Sequence, residues 1–174
     1  MFDRYPGDNR TQLEPYQKVY LTPGTEELCL PNTNIMSALT AENTNSFPRI
    51  LMDKRKYKDF ARAILSYISI SPTSIPILRD GKKVTMGKNL QSDNDPVSGL
   101  YIHRTVARLP KGIPNPKVRP VLPLPWSMDF TVTMMQNSSF KEQELRNILN
   151  QGGLALGIGT FRGVFGKFEI TKWE

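Results

Sequence analysis

The chain has one cysteine and one histidine in its 174 residues, and that scarcity closes off several chemistries. Cys29 alone cannot build an internal disulfide framework, and its apolar neighbours make an inert buried thiol the expectation. His103 alone leaves no two-histidine metal cluster and reads as a structural residue of a strand. No apolar run approaches the roughly twenty residues that cross a bilayer, so no membrane partner is expected. The acidic, proline-containing start MFDRYPGDNR lacks the basic and apolar regions of a secretory signal, and an intracellular, reducing setting is expected. Aspartates and glutamates are scattered without paired spacing. No Walker loop or dinucleotide fingerprint occurs, because the one glycine-rich segment follows a helix instead of joining a strand to one. The expectation is a protein that is not an enzyme and has no catalytic residues, metal site or cofactor.

Glycine, by contrast, is concentrated. Six of the twelve glycines lie in the fifteen residues from Gly152 to Gly166. Such clustering costs chain entropy, so the backbone there is expected to need positive φ or a close approach. Phe161, Arg162, Phe165, Lys167 and Phe168 are interleaved with or follow these glycines. Two readings stay open. The loop turns a helix tightly into a strand while its aromatics fill the core, or it faces a ligand, its amides and cations on phosphates and its aromatics against bases.

The net charge of +7 is unevenly spread. Residues 1–48 carry 3 cations against 6 acids, 49–119 carry 15 against 5, and 120–174 carry 5 against 5. The excess lies in the middle of the chain, the electrostatic footprint of a polyanion partner, although a scattered solvated surface gives the same tally.

Length predicts one domain with its own core. Residues 1–16 read as a polar arm, followed by a strand near Gln17–Leu21. Asn32 or Thr33 is placed to cap a helix carrying Ile35, Met36 and Leu39. Tyr57, Phe60, Ala61, Ile64 and Leu65 recur at helical spacing within 54–65. An edge strand is expected in 67–78, a turn at Asp80-Gly81, and a hairpin from Leu100–Leu109 and Lys117–Leu122, extended by prolines. Met128–Met134 alternate as a half-buried strand, Ser139 and Glu142 form a capping box before another helix, and Phe168 and Ile170 begin a last strand. Strand, helix, glycine-rich loop and strand are half of a ferredoxin-like, RNA-recognition-motif-like unit. The predicted fold class is therefore α+β, a mostly antiparallel sheet with helices on one face.

Two stretches are familiar. LRNILNQGGLALGIGTFRGVFGKFEI resembles a family of uncharacterised bacteriophage and prophage proteins through Gly157, Gly159, Phe161, Arg162, Gly166, Lys167 and Phe168, and Arg119, Pro120 and Trp126 upstream are similar to that family's approach to the strand. More distantly, the arrangement resembles the repeat-associated mysterious protein superfamily of CRISPR effector backbone and RNA-processing subunits, with Leu30–Met36 similar to its N-terminal helix start. That resemblance implies a ferredoxin-like core with a glycine-rich loop after the last helix. The chain departs from the superfamily in its shortness and in offering no clear nuclease residues.

The site expected from these features comprises Arg104, Arg108, Lys111, Lys117 and Arg119 along the hairpin with Gly157, Gly159, Phe161, Arg162 and Lys167 in the loop. Arg104 and Arg108 are an even number of residues apart and share a strand face with Val106. Lysines 54, 56, 58, 82, 83 and 88 read first as solubilising. The expected function is non-enzymatic binding of single-stranded RNA or DNA, as a homo-oligomer or as a subunit of a larger assembly in a bacterial host's cytoplasm. A viral structural or assembly protein and an inhibitor of a host defence complex are the alternatives.

Overall fold

Residues 31–75 carry the chain's cleanest helical periodicity, and there three helices form in succession. The computed structural model describes residues 15–41, 46–87, 93–108, 114–136, 140–159 and 163–174, apart from the side chains of 107, 108, 114 and 115. In chain order the elements are a 3-10 turn (Pro15–Lys18), β1 (Cys29–Pro31), α1 (Asn32–Thr40), α2 (Phe47–Leu51), α3 (Tyr57–Tyr67), β2 (Ile68–Ser71), β3 (Ser74–Pro76), β4 (Leu78–Arg79), β5 (Lys82–Lys83), β6 (Tyr101–Arg108), β7 (Pro114–Val121), β8 (Thr131–Met134) and α4 (Glu142–Ala155). This is an α+β chain with small antiparallel sheets. It divides into two compact units, Met1–Leu30 with Pro76–Asp129 and Pro31–Ile75 with Phe130–Glu174, a finer partition than length alone suggests.

In the second unit, helices bury their apolar faces around Phe47. Phe60, Ala61, Ala63 and Ile64 form the buried stripe of α3, as their spacing requires, while Leu65 at its edge is exposed. The N-cap of α1 is Pro31; the Asn32 side chain, expected to cap, instead donates to the Ile70 carbonyl at 2.6 Å. Ser46 caps α2, its hydroxyl accepting from the Arg49 amide. A Cβ on Gly152 would stand 2.1 Å from the Phe47 ring, so only glycine lets α4 approach α2 this closely. β2 pairs antiparallel with β8 in the register Ile68–Met134 to Ser71–Thr131. Ile68 and Ile70 are buried, whereas Ser69, Ser71, Thr131 and Thr133 lie on the opposite, exposed face, the period-two alternation of a half-buried ribbon.

The expected last strand is absent among the described residues. Phe168–Trp173 is extended, but it runs back along α4: the Phe168 amide donates to the Gly153 carbonyl at 3.1 Å, the Ile170 amide to the Asn150 side chain at 3.3 Å, and the Trp173 indole to Glu142 at 2.6 Å. Hydrogen bonds that a sheet edge would supply are met by a helix's side chains and its last turn. The proposed cap Ser139 lies outside the described residues.

The first unit is built on short strands. Asp80 and Gly81, both at positive φ (52° and 72°), join β4 to β5 through the two-residue turn that this dipeptide favours. The buried residues Leu28, Ile77 and Val84 pass backbone hydrogen bonds among one another. The strand expected near Gln17–Leu21 is instead the 3-10 turn followed by a single bridge from Leu21 to Leu28.

Candidate functional site

The β6–β7 hairpin has eight paired positions, from Tyr101–Val121 to Arg108–Pro114. Directly opposed residues of an antiparallel pair share a face. Positions 102, 104, 106 and 108 therefore share one face with 114, 116, 118 and 120, and positions 103, 105, 117 and 119 lie on the other. The expected single stripe of cations is thus two groups. Arg104 and position 108 keep their common face, with exposed Val106 between them, while Lys117 and Arg119 lie opposite Thr105 and His103 on the reverse side.

Their surroundings differ as well. The Arg104 guanidinium donates to Asp93 at 2.7 Å, and both side chains are about 60% exposed (59% and 61%). A pair so open to water contributes at most about 1 kcal/mol, so a phosphate can compete for the arginine at little cost. Arg119 is buried at 8% relative exposure and Lys117 is half-buried, positions fitted to packing the hairpin more than to tracking a ligand. Lys18 donates to the Val118 carbonyl at 3.1 Å and ties the N-terminal turn to β7. The side chain of Arg108 and all of Lys111 lie outside the described residues.

The glycine-rich loop belongs to the second unit, and the hairpin to the first. Gly157 at φ 74° ends α4, its amide donating to the Gly152 carbonyl. The loop then crosses itself: the Ile158 amide donates to Gly166, and a Cβ on Gly166 would lie 1.8 Å from the Ile158 carbonyl oxygen. A Cβ on Gly153 would meet Phe168 at 2.6 Å. Gly152, Gly153, Gly157 and Gly166 are thereby accounted for by internal close packing. Gly163, at φ 85°, has open space where a Cβ would be, and Lys167 is exposed beside the crossing. Gly159 has φ 97° and is half-buried; Phe161 and Arg162 lie outside the described residues.

Two features were missed by sequence reasoning. Arg79 donates through Nε and both terminal nitrogens to the carbonyls of Pro125, Ser98 and Pro123 at 3.1, 2.8 and 3.0 Å, fastening two loops of the first unit. Asp95 is buried, which pushes its carboxyl up. The Ser98 hydroxyl and the amides of Gly87, Ser98 and Val97 donate to it and outweigh that effect, holding it below the usual carboxylate range. Both act through backbone partners far apart or in irregular loops, and no local pattern announces them. Every cation between Arg49 and Arg62 is exposed, as the solubilising reading of the lysines in this run requires.

Among the described residues no group of three or more histidine, cysteine, aspartate or glutamate side chains could hold a metal ion, and no helix is long and apolar enough to cross a membrane. The arrangement offers exposed cations, exposed apolar side chains and an open glycine, which suit charge-based contact with a polyanion. The chain matches no protein-family model, no curated protein and no solved structure.

Proposed function

We propose that this protein binds single-stranded nucleic acid without catalysing a reaction on it, as an oligomer or as a subunit of a larger assembly, in the manner of a bacteriophage-encoded protein in the cytoplasm of its host. The observation that carries the reading is the exposed Arg104 on one face of the β6–β7 ribbon, with the exposed Val106 two residues along the same strand face. A cation on such a face holds a phosphate, and an apolar side chain beside it meets a base or sugar. Exposed Lys167 in the second unit supplies a further cation.

The ferredoxin-like reading of the fold belongs to the same proposal. It is supported by the order strand, helices, β2, β8, α4 and extended segment, in which β2 and β8 pair antiparallel and residues 76–129 fall between them.

The test is purification at low salt followed by absorbance at 260 and 280 nm and separate digestion with RNase and DNase. The expected result is co-purified nucleic acid that is removed by high salt and by one of the two nucleases. An absorbance ratio of protein alone at low salt would contradict the proposal.

A further inference from the structure

The net charge of the second unit is confined to one corner. That unit carries 11 cations against 7 acids, a net +4, and residues 49–62 alone carry 6 cations against 2 acids, also +4. All six cations, Arg49, Lys54, Arg55, Lys56, Lys58 and Arg62, are exposed. They lie on α2, on the turn after it and on the first half of α3.

The two acids do little to neutralise them. Asp53 turns its carboxylate to the Arg55 amide at 2.8 Å and builds the turn that starts α3. Asp59 meets Arg62 at 3.6 Å, with both side chains more than 70% exposed (81% and 74%), an ion pair that water and salt screen. The side chains of Lys54, Arg55, Lys56 and Lys58 make no hydrogen bond or ion pair with a described residue.

Folding does not select this arrangement. Lys54, Arg55, Lys56 and Lys58 gather at the end of α3 where the helix dipole is positive and where acids, not bases, are favoured. Lys58 and Arg62, one turn apart, repel each other. A surface chosen only for solubility would interleave both signs or place the bases at the other end of the helix. A concentrated charge held against the helix's own preference fits a partner that supplies the missing negative charge.

The geometry points to residues 49–62 as a phosphate-backbone contact surface for single-stranded nucleic acid, distinct from the β6–β7 hairpin. This rests on the nucleic-acid reading above and assigns to it a second anchoring surface. The cations are long and flexible point charges, so the contact assigned here is to the phosphate backbone.

The experiment measures binding of a fluorescently labelled twenty-nucleotide single strand, as DNA and as RNA, to three full-length proteins at one fixed low salt concentration. These are the unaltered chain, a Lys54→Gln, Arg55→Gln, Lys58→Gln variant, and a control of equal charge loss, Lys82→Gln, Lys141→Gln, Lys172→Gln. The corner variant is expected to bind on the order of tenfold or more weakly than the unaltered chain, and the control within about threefold of it. The corner variant is also expected to melt no lower than the unaltered chain, because the dipole conflict is relieved. If the unaltered chain binds and the corner variant binds as well as it does, or no worse than the control, the surface is overturned while the nucleic-acid reading stands. If the unaltered chain binds neither strand, the reading itself fails and the surface with it.

Discussion

Gly157 and Gly166 cross at the base of the C-terminal loop, where a Cβ on Gly157 would stand 2.5 Å from the carbonyl carbon of Gly166. Both residues have positive φ, 74° and 73°, so a side chain at either meets backbone strain and a backbone clash together. Gly157→Ala and Gly166→Ala are each expected to destabilise the protein by about 2–4 kcal/mol, the sum of a left-handed backbone penalty and overpacking. Gly163→Ala, with the same sign of φ but open space, should lose only about 1–2 kcal/mol. Urea unfolding followed by circular dichroism separates the cases, and equal losses at all three positions would contradict the crossing as the reason for the glycines.

Arg79 bonds three carbonyls with one planar fork, a geometry that lysine cannot reproduce. Arg79→Ala is expected to cost about 2–4 kcal/mol, and Arg79→Lys to recover less than half of that, although the charge is kept. If lysine restores full thermal stability, charge and not the fork holds the loops.

Asp95 provides the pH dependence. Its carboxyl titrates lower in the folded protein than in the unfolded chain, so its stabilising contribution is complete above the unfolded value near pH 4 and is lost as pH falls through the lower folded value. Asp95→Asn should therefore be less stable than the unaltered chain at pH 7, by about 2 kcal/mol or more, and the gap should narrow below about pH 4. Melting temperatures of the two proteins from pH 7 to pH 2.5 check this. A gap that stays constant or widens in acid contradicts it.

How much of this could be read from the sequence depends on how far each interaction reaches. The face of α3 was legible because Tyr57, Phe60, Ala61 and Ile64 repeat within one element, and the Asp80-Gly81 turn because two adjacent residues determine it. The hairpin was legible as a hairpin, but the faces of Lys117 and Arg119 relative to Arg104 depend on register across an intervening loop, which spacing within either strand leaves open. Phe168 and Ile170 alternate as a strand would, yet their partners lie on α4, and alternation does not distinguish a sheet edge from a helix flank. The loop glycines were legible as a backbone requirement. That Gly157 and Gly166 serve each other is a contact between residues nine positions apart with no chemical signature.

The salt dependence of single-strand binding tests the central claim most directly. Fluorescence anisotropy of a labelled twenty-nucleotide strand, titrated with protein from about 50 to about 200 mM salt, is expected to give a log–log plot of association constant against salt that falls linearly with a slope of about −2 or steeper, at roughly 0.7 per phosphate neutralised. Arg104→Ala should make that slope shallower by about 0.7, because the arginine exchanges its exposed Asp93 partner for a phosphate. An affinity that does not change across this range, or no binding at its low end, would contradict the account.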